Sequence, residues 1–385
     1  MKSRQIKTWA LALGASVVLS ACSIFSADER FEPVDLTDYT ATVTPRINWS
    51  ISIGNGSGYG FTPAFFDGSI YAATPDGQVA RVNASNGAIV WRIDLDRDLA
   101  AGVGVNEGVV VVTTRDGHVL ALEAATGKTL WDNTASTTSS TPAAIASGVV
   151  VVRSDDFRVQ GYNLADGALL WSYVRKNPDL SLKTNSRMVF VDAQTVLAAV
   201  PTGRLVALNT NSGRIVWEVA AATAKGMSDL DGVTDVVGSP IVLGNEVCLA
   251  SYQGNIVCYA ATAQGLNAKW VQPFSTAVGI DATPSAIIGA ETDGSVKAFS
   301  RQDGQELWSD NTLRNRGLTS PIVYNNHAVV ADYEGYAHFY DFNTGKLEGR
   351  IYLGDSDPVV SPLIAIPGGI IAQTGDGKLV LFGVN

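Results

Sequence analysis

One motif recurs along this chain and limits its fold more than any other feature. Asp116-Gly117-His-Val-Leu-Ala-Leu-Glu-Ala-Ala-Thr-Gly127-Lys-Thr-Leu-Trp131 returns as Thr202-Gly203 through Trp217 and again as Asp293-Gly294 through Trp308. Further copies run from Asp76-Gly77 to Trp91, from Asp156-Phe157 to Trp171 and from Gln253-Gly254 to Trp270. A seventh, Glu334-Gly335 to Gly349, has lost its Trp, and an eighth opens at Asp376-Gly377 and is cut short at Asn385. The first-turn positions 77, 117, 157, 203, 254, 294, 335 and 377 are spaced by 40, 40, 46, 51, 40, 41 and 42 residues. A period near 40 in an all-β pattern suits one propeller blade of four strands.

Within a copy, the Asp-Gly pair supplies the positive φ of a tight hairpin turn. The apolar run Val119-Leu-Ala-Leu122 then reads as a strand, and a second Gly turn leads into a strand ending in Trp. Val-rich runs such as Gly108-Val-Val-Val-Val112 precede many of the first turns. Pro63, Pro142, Pro240, Pro284, Pro321 and Pro362 each follow Thr or Ser and read as blade openings, because Pro is tolerated at the start of a strand but not in its centre. The eighth unit lacks its last strand, while Arg46-Ile47-Asn48-Trp49 is an isolated copy of the repeat's ending. The expected fold is therefore all-β: an eight-bladed β-propeller of four-stranded antiparallel blades over residues 45–385, its ring closed by an N-terminal strand that hides an open edge. The seven Trp residues beyond Trp9 share one repeat position and read as wedges between blades.

Ahead of the repeats, Lys2, Arg4 and Lys7 precede a short apolar stretch, Trp9 to Val18, and the ending Leu19-Ser-Ala-Cys22. The stretch is too short for a membrane-spanning helix and reads as a secretory leader. Its ending resembles a bacterial lipobox, which implies cleavage after residue 21 and lipidation of Cys22. Ser23 rather than Asp follows, and by the same resemblance that implies transfer to the outer membrane. Residues 1–21 are thus read as a lipoprotein signal peptide and 22–44 as a lipidated, flexible tether. Two or three acyl chains anchor firmly where one does not, at about 0.8 kcal/mol per buried CH₂.

The chain has 27 basic and 37 acidic residues. Removing the leader's three basic residues leaves 24 against 37, a charge of −13. Such an acidic chain is repelled by phosphate backbones, and no nucleic acid is expected as a partner.

At Ala207-Leu-Asn-Thr-Asn-Ser-Gly-Arg-Ile-Val-Trp217 the repeat resembles that of pyrroloquinoline quinone enzymes. With the lipobox and eight short blades, the chain is similar to the BamB lipoproteins of the β-barrel assembly machinery. That resemblance implies a non-enzymatic scaffold docking on the periplasmic domains of BamA within the Bam complex. Nascent outer-membrane proteins are a further implied partner, and no cofactor is implied. Two long insertions carry the narrower match: Asn177-Pro-Asp-Leu180-Ser-Leu182-Lys183 and Ser228-Asp229-Leu230-Asp231. By resemblance the partner-binding residues are Leu180, Leu182, Lys183, Asp229 and Asp231. Lys183 stands where an Arg is usual, keeping the charge but losing the planar fork. Read on their own, Leu180 and Leu182 are either exposed anchors or ordinary loop packing. Asp229 and Asp231 either meet a partner or cap a turn.

The alternative is a quinone- or sugar-binding oxidoreductase relative. Against it, the chain has no adjacent Cys pair, and its blades leave little room for inserted loops. His118, His327 and His338 are expected in different repeats, with His118 in a hairpin turn, which argues against a metal cluster. Asp94-x-Asp96-x-Asp98 begins like a calcium loop but has Leu99 where Gly is needed and Val105 where Glu is needed. Gly54 to Gly60 lacks the Lys-Ser/Thr of a phosphate loop. Cys248 and Cys258 flank the Gln253-Gly254 turn in an oxidising compartment. Their even separation allows a disulfide if the hairpin loop is odd-numbered, and sets them diagonally if the turn has two residues.

Overall fold

In the repeat's first turn, a Thr hydroxyl two residues ahead of the Asp holds the Asp carboxylate, as in Thr74–Asp76 and Thr374–Asp376, both 2.5 Å. The Gly that follows takes φ of 97° at Gly77 and 83° at Gly377, which only Gly adopts without strain. These turns join the second and third strands of each repeat. The strands they join are the buried ones: Val109–Thr113 is buried at every position. The third and fourth strands pair across a register shift just before the Trp, as between Ala121 and Leu122, and this bulge recurs in every one of the first seven blades.

The chain is described from a computed structural model over residues 32–175, 180–182, 186–222, 233–262, 265–354 and 358–384. These residues form eight separate four-stranded antiparallel sheets arranged as a propeller. Blades 1 to 7 take the residues 64–94, 104–134, 144–173, 189–220, 236–274, 280–310 and 322–352. Blade 8 combines 364–383 with the N-terminal strand Arg46–Ser52, which pairs with Lys378–Gly383 and sets Trp49 opposite Leu381. Ile53 N–H donates to the Gly377 carbonyl, and the Gln373 amide reaches the Ala73 carbonyl of blade 1. The ring is closed by this split blade.

The first strands of successive blades from 1 to 8 touch one another, and all but that of blade 5 are only three or four residues long, so these strands line the axis. The core lies between blades, in clusters that each draw on two adjacent sheets. Six Trp residues donate an indole N–H to a carbonyl of the next blade, as Trp131 does to Leu164 at 2.8 Å. Each of the six rings also lies against the second-turn Gly of that blade. A Cβ on Gly304, for example, would lie 2.7 Å from the Trp270 ring.

Several expectations change. Pro284 does not open a blade: it lies in the turn after the first strand of blade 6, Ile280–Ala282. Pro240 stands inside the first strand of blade 5, Val236–Leu243, where the register shift between Val237 and Ile241 spares it a ladder hydrogen bond. His327 and His338 sit on neighbouring strands of blade 7, and His118 begins a strand rather than occupying the turn. The stretch read as a flexible tether, 22–44, is laid against the ring over its described part, 32–44. Val34 N–H donates to the Arg314 carbonyl, Thr42 and Val43 donate to the Glu348 carbonyl, and Leu36 and Tyr39 pack on the core between blades 6 and 7.

Candidate functional site

Antiparallel strands put the connections between blades at the same end of the ring as the Asp-Gly turns. Two of these connections carry the long insertions. The first leaves the outer strand of blade 3, Leu169–Tyr173, and enters blade 4 at Val189–Asp192. The second leaves blade 4 after Ile215–Ala220 and enters blade 5 at Val236–Leu243. The insertions therefore flank blade 4 on one end of the molecule.

A single buried carboxylate joins them. Asp235, 5% exposed at the base of the second loop, accepts from the backbone N–H of Leu182 at 2.7 Å through one oxygen. Its other oxygen accepts from Thr202 N–H at 3.0 Å, in the Thr202-Gly203 turn of blade 4. Its charge is met by Arg153, which is buried, donates to the Ala199 carbonyl and to Thr141 Oγ1, and is held to about 10 by burial, against the opposing pull of Asp155 and Asp235. The first loop is also held at its start. Arg175 and Arg204 both donate to Glu218, at 2.9 and 2.8 Å. Burial pushes the Glu218 carboxyl up, but these two guanidinium groups outweigh it and hold it below the ordinary value.

With its backbone fixed this way, the first loop shows apolar side chains to solvent. Leu180 is 45% exposed and Val174, just upstream, is 61% exposed, while Leu182 is half-buried. Lys183, Asp229, Asp231 and the lipidation candidate Cys22 lie outside the described residues. Asp235 and Arg153 were not legible as site residues: the Asp sits in an unremarkable Val233-Thr-Asp-Val, and its partner Leu182 is 53 positions away.

Cys248 and Cys258 form a disulfide. They are direct cross-strand partners with Cα atoms 4.1 Å apart, because the five residues Ser251 to Asn255 make the odd-numbered loop. The bridge lies under Trp270, which pairs with Cys258 across the next ladder.

No group of three His, Cys, Asp or Glu side chains converges among the described residues. Asp281, which lines the axial channel, accepts the backbone N–H groups of Ala282 and Val323, one at each oxygen. The Asp94–Asp98 segment is an ordinary Asx turn, Asp94 accepting from Asp96 N–H at 2.8 Å.

The fold and repeat define the class: an eight-bladed β-propeller of pyrroloquinoline-quinone-type repeats. A family model described as outer membrane protein assembly factor BamB matches residues 75–310. The chain is 53% identical over 385 residues, all of both chains, to the outer membrane protein assembly factor BamB of Taylorella asinigenitalis. Among solved structures it matches BamB from Moraxella catarrhalis with a TM-score of 0.81 at 28% identity, covering 88% of this chain and 99% of that one. A quinohemoprotein alcohol dehydrogenase from Comamonas testosteroni matches with a TM-score of 0.67 at 14% identity over 92% of this chain and 78% of that one, which speaks to the fold alone. The chain belongs to the BamB family of outer membrane protein assembly factors.

Proposed function

We propose that this chain is a non-enzymatic scaffold lipoprotein of the β-barrel assembly machinery, docking on the periplasmic domains of BamA through the two loops that flank blade 4. On this reading residues 1–21 are removed, Cys22 carries the lipid on the periplasmic face of the outer membrane, and only the residues from 22 up to the docked stretch are tether. The scaffold assists folding and insertion of outer-membrane β-barrel proteins, with nascent chains as further contacts.

The observation that supports it best is the Asp235 tie. It fixes the backbone at Leu182 to the base of the second loop, so the loops are presented together rather than as two independent flaps. Pre-ordering of a loop lowers the entropy lost on binding. An exposed Leu on a fixed backbone is the kind of anchor that fills a partner's apolar pocket. Lys183, Asp229 and Asp231 would then act as a charged rim, contributing mainly to register and association rate.

The test is a titration of BamA's periplasmic domains against folded variants, with circular dichroism reporting the propeller. The Leu180→Asp, Leu182→Asp double variant should lose at least about thirtyfold in affinity, the equivalent of about 2 kcal/mol for one anchor. Ala at Lys183, Asp229 or Asp231 should weaken binding less, and more at low salt than at high salt. Unchanged affinity in the double variant rules out this docking site.

A further inference from the structure

The axial channel contains an arginine that forms no ion pair among the described residues. Arg187 lies two residues ahead of the inner strand of blade 4 and lines both cavities of the channel, one of about 590 Å³ and one of about 180 Å³. Protein surrounds it on every side, yet the side chain keeps access to channel water. Among the described residues no carboxylate pairs with it, and burial alone holds its guanidinium below the ordinary value. The other buried arginines, Arg153 and Arg316, are compensated. Arg153 has acidic neighbours and two acceptors, Arg316 bonds Asp332, and Asp281 in the same channel accepts one backbone N–H at each oxygen.

An unpaired guanidinium in a partly dry site is costly, and a bound anion relieves that cost. The planar fork of Arg matches the two oxygens of a carboxylate. The walls of the larger cavity choose among carboxylates. Their side chains are mostly apolar, with Phe65, Val105, Ile145, Met188 and Ile364 contributed from five different blades or the connection into them. Asn106 gives one amide N–H to the Ile145 carbonyl at 2.9 Å and its oxygen to the Glu107 N–H, which leaves one amide N–H and the Ser239 hydroxyl as the other side-chain donors on the wall of the larger cavity. The volume lies in the range of small-molecule sites.

We infer that the axial channel is a binding site for an organic monocarboxylate with an apolar body, its oxygens held by Arg187 and its body lying along the inner strands. Arg187 and Met188 lie where the first of the two loops enters blade 4, but the cavity is lined by the inner strands, and the inference does not rest on the docking proposed for those loops.

The probe is 3-phenylpropionate, titrated calorimetrically into the purified protein, beside its uncharged analogue 3-phenylpropionamide and inorganic phosphate. Saturable binding of the acid is expected, at least tenfold tighter than of the amide or of phosphate. Arg187→Gln should lose at least tenfold, and Arg187→Lys, which keeps the charge but not the fork, should fall between. Should Arg187→Gln fail to fold, the ¹⁵N resonance of the Arg187 side chain in the unaltered protein still decides: it should shift in step with the heat of binding. Equal binding of acid and amide overturns the inference. So does equal binding of phosphate, unweakened binding by folded Arg187→Gln, or an Arg187 resonance that stays put.

Discussion

The seam between blades 6 and 7 and the seam between blades 7 and 8 fill the same space by different means. At the first, Trp308 faces Ala298 across its own sheet, donates to the Phe342 carbonyl, and lies so close to Gly345 that a Cβ there would overlap the ring. At the second, the large and small partners are exchanged: Phe339 faces Gly349. The space over Gly349 is taken by the incoming N-terminal segment, with Val43 Cγ2 2.8 Å and Pro45 Cδ 3.1 Å from where a Cβ would be. The reason lies in the next blade. A Trp at 349 needs a second-turn Gly to lie on, and blade 8 has no second turn, because its third strand is the C-terminal strand and its fourth comes from the N-terminus. The missing Trp of the seventh repeat is a consequence of where the ring closes. The seam between blades 4 and 5 is a third variant. There the third and fourth strands of blade 5, Gly254–Thr262 and Gly265–Phe274, run on past the usual turn position. Trp217 then has neither a Gly beneath it nor, among the described residues, an acceptor for its N–H, and a groove of about 360 Å³ opens beside it.

This comparison can be broken at several points. Deleting residues 45–52 removes both the closing strand and part of the plug over Gly349. The loss should exceed about 5 kcal/mol, the lower end of typical domain stability, and leave no cooperative unfolding transition. A deletion variant with an unchanged urea midpoint would mean the closure is not structural. Trp308→Ala should cost about 3–5 kcal/mol, while Trp217→Ala, whose ring lacks the Gly seat, should cost roughly half of that. Equal losses in chemical unfolding would show that the Gly seat contributes nothing. Gly349→Trp should not restore a regular seam. It should destabilise by about 1–3 kcal/mol through overpacking against Val43 and Pro45, and a gain in thermal midpoint would refute the exchange.

The smallest effect concerns the buried polar group under the N-terminal segment. Arg316 pairs with Asp332 at 2.8 Å and with Glu334, and also donates to the Val34 carbonyl. His338 Nε2 lies 2.9 Å from Asp332, and its Nδ1 accepts from Arg350, whose guanidinium also donates to the Thr37 carbonyl and covers the Tyr39 ring. A ring nitrogen that accepts from a guanidinium carries no proton, so His338 is neutral and donates through Nε2. Burial holds it below its ordinary 6.5, against the pull of Asp332. The unfolded chain therefore takes up a proton before the folded one does. Stability should be flat above that pH and fall as pH drops below it. Asp332, held low chiefly by His338 and Arg316 against the opposing effect of burial, contributes its own loss only in the acid range below its ordinary 3.8. Thermal midpoints at pH 7.5, 6.5 and 5.5 should show the first decline in the unaltered protein and a shallower one in His338→Gln.

The blades, their number and the closing strand were legible because each depends on local pattern. Turn chemistry, the repeat period and a stray copy of the repeat's ending lie within a few residues of one another in sequence. For Cys248 and Cys258 the sequence left two geometries open, and the five-residue loop chose between them. The tether was misjudged over 32–44 because a polar stretch without a repeat looks unattached. Its partners, Arg314, Arg316 and Glu348, lie about 280 to 310 positions away.

By itself the sequence determined an eight-bladed ring with seven Trp wedges and two long loops on either side of blade 4, because periodic residues specify periodic structure. Only the tertiary structure decided which wedge lacks its seat, that Asp235 ties the loops together, and that Arg187 has no ion-pair partner in the channel among the described residues. Each of those facts concerns residues from different blades meeting at an axis or a seam. Whether a charge there is paired or bare depends on what the other blades bring to it, and no single repeat carries that information.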